Sequence, residues 1–99
     1  MRVLICGAGR VGQGIARRLA MEKHSIVIID EDPELVDKVS TDLDVRGVTG
    51  NAAYPAVLRA AGIEECEMII AVTYHDEVNM VICQAVSYTH LTLPTIYSV

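Results

Sequence analysis

Ninety-nine residues, 52% of them hydrophobic, suffice for one small domain or part of a larger one and are too apolar for a disordered chain. Phe and Trp are absent, so any core must come from Ile, Val, Leu, Ala and Met. Eight Lys and Arg against thirteen Asp and Glu give a net charge of −5 without a basic stripe, which argues against nucleic acid or an anionic membrane surface as partner.

Arg2–Cys6 (RVLIC) is a short apolar run stopped by Gly7, the pattern of a strand buried on both faces in a parallel sheet. From Arg10 to about Met21, the residues Val11, Ile15, Ala16, Leu19 and Ala20 recur at helical spacing. Gly12 and Ala16 share one face of that helix, which can therefore press closely on a sheet. Ser25–Ile29 predicts a second strand, ending at Asp30. Asp32-Pro33-Glu34 reads as a helix start, with an Asp cap, Pro in the first turn and acid near the positive end. Leu35, Val36 and Val39 supply its apolar face. Val45–Thr49 predicts a third strand halted by Gly50, and Pro55–Ala61 a third helix with Gly62 as its left-handed stop. Glu67–Val72 predicts a fourth strand, and Asp76 caps a fourth helix through Glu77, Met80 and Val81. Four alternations of strand and helix predict an α/β fold with a parallel sheet.

The last stretch breaks this pattern. From Ser87 to Val99 there is no Asp, Glu, Lys, Arg or Gly, helical spacing is lost, and Pro94 interrupts any helix. It reads either as a native edge strand or tail, or as foreign sequence joined to a truncated reading frame. The second is expected, so residues 1–85 are assigned to the domain and 86–99 to a non-family tail. Exposed, such an uncharged β-prone segment is an aggregation hazard.

Cys6, Cys66 and Cys83 are odd in number and form no C-x-x-C pair, which predicts buried reduced thiols in a cytosolic protein and no disulfide or zinc framework. The apolar run after Arg2 is interrupted too early for a signal peptide. No stretch approaches the ~18 apolar residues of a spanning helix.

Gly7, Gly9 and Gly12 spell G-x-G-x-x-G between a predicted strand and a predicted helix, the context a dinucleotide fingerprint requires. In that reading Gly7 allows the tight turn, Gly9 admits a pyrophosphate to the backbone, and Gly12 lets helix meet strand. The amides around Ala8–Val11 point toward the phosphates, helped by the helix dipole, and Arg10 adds either a charge-assisted contact or only a solvated cation. Asp30, at the end of the second strand, stands where an acid accepts both ribose hydroxyls and repels a 2′-phosphate. NAD is thereby favoured over NADP. Asn51 after the third strand, and Thr73 and Tyr74 after the fourth, fall at the same carboxyl edge of the sheet. There Thr73 offers a hydroxyl and an amide, and Tyr74 a flat surface.

A catalytic constellation is missing. His24 reads as a loop residue, His75 beside Asp76 has no defined nucleophile, and His90 lies in the tail. Asp76, Glu77 and Asn79 are explained more simply by a helix start than by a metal site.

CGAGRVGQGIARRLA, the strand ending in Asp30, VRGVTGN, YPAVLRAAGI and above all MIIAVTYHDEVNM resemble the N-terminal domain of the TrkA-type regulators, members of the RCK (also KTN) family. The likeness runs from Met1 to about Ala85. It implies a Rossmann-like three-layer α/β/α domain with a parallel sheet, incomplete relative to the full family domain. It further implies a sensor of NAD(H), or in some members of ATP and ADP, and not an enzyme. Such a module is cytoplasmic, assembles with other RCK domains as a homo-oligomer, and works at the inner face of the plasma membrane through a Trk-type potassium channel subunit. By position, Gly7 to Val11 hold the phosphates, Asp30 the ribose, and Thr73 and Tyr74 the far side of the ligand, with Asn51 near the nucleotide. Ala53 and Tyr54 depart from the family, which often has a small hydroxyl or acid residue before the proline of the third helix. The alternative reading is the cofactor-binding N-terminal fragment of an NAD-dependent dehydrogenase; a third is a fold remnant that binds nothing.

Overall fold

The computed structural model describes residues 1–89 and 95–98, without the side chains of Asp76, Cys83 and residues 85–89 and 95–98; His90 and Pro94 lie outside that description altogether. The chain runs β1 (Arg2–Cys6), α1 (Arg10–Met21), β2 (Ser25–Asp30), α2 (Pro33–Leu43), β3 (Arg46–Thr49), α3 (Pro55–Ala60), β4 (Met68–Ala71), α4 (Asp76–Thr89) and β5 (Thr95–Ser98). A single 3-10 turn over Ile63–Glu65 precedes β4.

All strand pairs are parallel, and the order across the sheet is β3-β2-β1-β4-β5. The chain therefore winds outward from β1 to β3, crosses back, and winds the other way from β4. Between β1 and β4 the direction reverses, and open parallel sheets bind ligands in the crevice at the carboxyl ends of such a pair.

The period-two alternation of β1 divides the core into two layers. Val3 and Ile5 join Ile26, Ile28 and Ile70 beneath Ala16 of α1 and Val39 of α2. Leu4 and Cys6 join Ile29, Ile69 and Ala71 beneath Leu58 of α3, Ile63 and Ile82 of α4. Helices on both faces leave Val3 to Cys6 without solvent contact, which is why the strand reads as an unbroken apolar run. This is the expected Rossmann-like three-layer α/β/α architecture.

Local signals explain the ends of the elements. The Asp32 carboxylate accepts from the Glu34 and Leu35 amides at 3.0 and 3.4 Å, capping α2 ahead of Pro33. Tyr54 takes the cap position of α3 without a side-chain bond, and Gly62 adopts the left-handed conformation at φ 82° just beyond that helix. Cys6 and Cys66 are both buried, and Cys66 is a free thiol. Burial pushes the Cys66 thiol up, and the Arg2 charge opposes this to a lesser degree.

Two features of α4 differ from expectation. The helix includes Asp76, so the cap position falls to His75, whose carbonyl accepts from the Asn79 amide at 3.1 Å. It also continues to Thr89, into the stretch from Ser87 where helical spacing is lost in the sequence. Lengthening an existing helix adds a hydrogen bond per residue fixed, and Ser87-Tyr88-Thr89 contains neither Gly nor Pro to stop it. Beyond it, β5 pairs with β4 from Met68↔Thr95 to Ala71↔Ser98. Among the described residues, no helix is long and apolar enough to cross a membrane.

Candidate functional site

The glycine loop between β1 and α1 is shaped by contacts that exclude a side chain. Gly7 sits at φ 117°, and a Cβ there would stand 2.7 Å from the Val72 carbonyl oxygen. A Cβ on Gly12 would stand 1.9 Å from the Gly7 carbonyl oxygen, so α1 begins directly on the loop. Gly9 is the N-cap and offers no side-chain acceptor, and the first turn of α1 carries no acid. The Arg10, Val11 and Gly12 amides thus form an uncapped positive helix end, and the first helical bond joins the Gln13 amide to the Gly9 carbonyl at 2.9 Å. Exposed Arg10 adds its charge at the same end.

The main chain of Ala8 bonds on both sides of the loop. Its buried amide donates to Asp30 Oδ2 at 2.9 Å, and its carbonyl accepts from Gln13 Nε2 at 2.8 Å. Asp30 Oδ1 accepts from the Asp32 amide, also at 2.9 Å. The Asp30 carboxylate therefore ties the glycine loop to the end of β2 through the Ala8 amide. Each carboxylate oxygen keeps further acceptor capacity for a ribose hydroxyl.

The opposite wall is the turn after β4. Fully buried Asn79 of α4 holds it: Asn79 Oδ1 accepts from the Thr73 amide at 2.9 Å and lies 2.7 Å from the Thr73 hydroxyl, and Asn79 Nδ2 donates to the Thr73 carbonyl at 3.3 Å. The Thr73 hydroxyl also accepts from the His75 amide at 3.3 Å. Tyr74 is 81% exposed, yet its hydroxyl lies 2.6 Å from the point where a Gly9 Cβ would be. Its ring edge therefore rests on the glycine loop. At the third corner, Asn51 Oδ1 accepts from the Ala53 amide at 2.8 Å, a local turn that fixes the start of the segment leading to α3.

A cleft of about 180 Å³ joins these parts at the carboxyl edge of the sheet. Gly7, Gly9, Asp30, Asn51, Thr73 and Tyr74 line it, with Ile29, Ala52, Val78 and Ile82 as apolar walls and Glu31 and His75 at its margin. Arg10 and Val11 line a smaller recess of about 70 Å³ that shares Gly9, Thr73 and Tyr74 with the cleft. Ala8 and Gly12 line neither and act through packing and the Asp30 tie. The residues fit an adenine nucleotide: a helix end for phosphate, a carboxylate for ribose and apolar walls for a base.

Sequence reasoning missed the role of Asn79, which reads there as part of an acidic helix start. Its helical spacing from buried Ile82 is the signal that places it on the inner face. Among the described residues, no group of His, Cys, Asp or Glu could hold a metal ion.

Comparisons with known proteins agree with this architecture. A Trk system potassium uptake protein TrkA from Azorhizobium caulinodans is 53% identical over 95 residues, covering 96% of this chain and 20% of that protein. The chain spans about a fifth of the length of this and two further curated TrkA relatives. The GsuK channel bound to NAD superposes with a TM-score of 0.84 at 21% identity, over 98% of this chain and 17% of that one. The Shewanella denitrificans Kef CTD in its AMP-bound form superposes at 0.82 and 22% identity, over 99% of this chain and 58% of that one. At such identities the superpositions speak for the fold alone. The family evidence is the sequence match to the TrkA-N domain over residues 3–99, and by it this chain belongs to the TrkA-N domain family.

Proposed function

We propose that the chain is a nucleotide-binding regulatory domain of a Trk-type potassium uptake system, with NAD(H) as ligand and ATP or ADP as the alternative. One observation carries this reading: the open N-terminus of α1 and the Asp30 carboxylate lie in adjoining recesses that share Gly9, where the winding of the sheet reverses. NAD and AMP, named with two structural neighbours, share an adenosine 5′-phosphate, the unit to which these groups are suited.

In this reading the Arg10–Gly12 amides and the Arg10 guanidinium stabilise phosphate charge. Asp30 accepts from ribose hydroxyls while holding the loop, and with Glu31 it repels a 2′-phosphate. Ile29, Ala52, Val78 and Ile82 flank the base, and Asn51 and Thr73 supply polar edges. The partners are a membrane potassium channel subunit and further copies of the domain, at the inner face of the membrane. The matched relatives are named for potassium uptake and not for a reaction, which favours a sensor over a dehydrogenase fragment. A nucleotide switches such an assembly only through different affinities for its two arrangements; moving a 1:99 equilibrium to 99:1 takes a ratio of about 10⁴.

Calorimetric titration with NADH, NAD, ATP, ADP and NADPH tests the reading. NAD(H) or adenine nucleotides bind, and NADPH binds more weakly. Tighter binding of NADPH would overturn the role given to Asp30, and no binding by any of them would leave a fold remnant.

A further inference from the structure

The Tyr74 ring lies where the expected ligand path runs. From the ribose position at Asp30, a pyrophosphate reaches the open end of α1 only by passing Gly9. That is where the Tyr74 hydroxyl and ring edge sit, 2.6 to 2.9 Å from the position of a Gly9 Cβ. The ring also separates the two spaces at this edge of the sheet. One contains Asp30 and Asn51, the other Arg10 and Val11, and both are bounded by Gly9, Thr73 and Tyr74.

The ring is poorly held and its base is firmly held. Tyr74 is 81% exposed, so its outer face has no packing to keep it in place. Its neighbour Thr73 is fixed through amide, carbonyl and hydroxyl contacts to buried Asn79. Rotation about the Tyr74 side-chain bonds therefore clears the loop without disturbing the turn.

We propose that Tyr74 is a ligand-length selector at the nucleotide cleft, an inference that rests on the nucleotide-binding reading above. With the ring on Gly9, the cleft takes a ligand confined to the Asp30 side, such as adenosine, which brings no phosphate to α1. A dinucleotide such as NADH must first displace the ring to bring its pyrophosphate to α1. The displacement lowers apparent affinity by the fraction of molecules in which the ring has left the loop.

Calorimetric titration of adenosine and NADH into the full chain, its Tyr74→Ser variant and its Tyr74→Phe variant tests this. Tyr74→Ser tightens NADH about tenfold, the gain expected if the ring is off the loop in about one molecule in ten, and changes adenosine less than about twofold. Tyr74→Phe keeps the obstructing ring and behaves as the parent chain. Weaker or unchanged NADH binding in Tyr74→Ser would make the ring a ligand contact or a bystander and overturn the proposal. So would an equal shift for both ligands, or a Phe variant that matches Ser. If the parent and both variants bind neither ligand, the nucleotide-binding reading itself fails, a result distinct from binding without selection.

Discussion

Replacing Asn79 by alanine removes a side chain that fastens the turn after β4 to α4. Asn79 is fully buried and contacts the amide, carbonyl and hydroxyl of Thr73. A hydrogen bond contributes about 1 kcal/mol net, and a buried donor left without a partner costs about 1–3 kcal/mol. Thr73 is only half-buried, so water partly replaces the lost acceptor, and the lower end of that range applies. The estimate is a loss of about 3 kcal/mol, a large share of the ~5–15 kcal/mol that holds a domain together. With a slope of roughly 1–3 kcal/mol per molar urea, the unfolding midpoint falls by about 1–3 M. Thr73→Ala removes only the hydroxyl and costs about 1 kcal/mol. In the double variant the two losses are not additive, because both residues belong to one network. A loss below about 1 kcal/mol for Asn79→Ala, or full additivity with Thr73→Ala, would refute the assignment of Asn79 as the anchor of this wall.

Two glycines of α1 give opposite outcomes on substitution. Gly12→Ala places a Cβ 1.9 Å from the Gly7 carbonyl oxygen and destabilises by about 2 kcal/mol or more, with loss of nucleotide binding. Gly14, exposed and with nothing within 4 Å of its Cβ position, gains about 0.5–1 kcal/mol on becoming Ala. Thermal unfolding of both variants reads this, and equal effects would contradict the packing role of Gly12. Asp30→Ala removes the acceptor of two backbone amides as well as the proposed ribose contact. It weakens NADH binding by about tenfold or more, speeds hydrogen exchange at Ala8 and leaves the fold intact; unchanged affinity would remove Asp30 from the site. The Cys66 thiol is raised above its ordinary value of 9.0, chiefly by burial. The unfolded chain therefore ionises first, and the stability due to the neutral thiol is full below that pH and lost as pH rises through it. Urea midpoints across that range fall less steeply for Cys66→Ala than for the parent chain, and parallel curves would refute the linkage.

The architecture was legible because each core strand is covered on both faces. Burial of alternate residues under different helices turns RVLIC and the apolar residues of SIVIID into runs, and runs separated by helical periods specify a parallel sheet. The glycines were legible for the same reason: Gly7 and Gly12 answer to contacts with Val72 and with each other, which no larger residue permits. The extent of α4 was not. Pro94 marks where a helix cannot continue, but nothing between Ala85 and Thr89 marks where one must stop.

The interior of the site was legible only in part, because its decisive contacts join residues far apart in sequence. An acid at the end of β2 signals a ribose partner, and the same carboxylate tying down the Ala8 amide leaves no separate mark. A tyrosine after β4 reads as a wall for the ligand, whereas its ring rests on Gly9 because the two turns meet at the reversal between β1 and β4. Asn79 is the instructive case, since its spacing from Ile82 placed it on the inner face all along. A buried amide on an apolar helix face must have polar partners, and the nearest main-chain groups needing them were those of Thr73. Helical phase, applied to polar residues as strictly as to apolar ones, would have led from the NM of DEVNM to the anchor of the cleft.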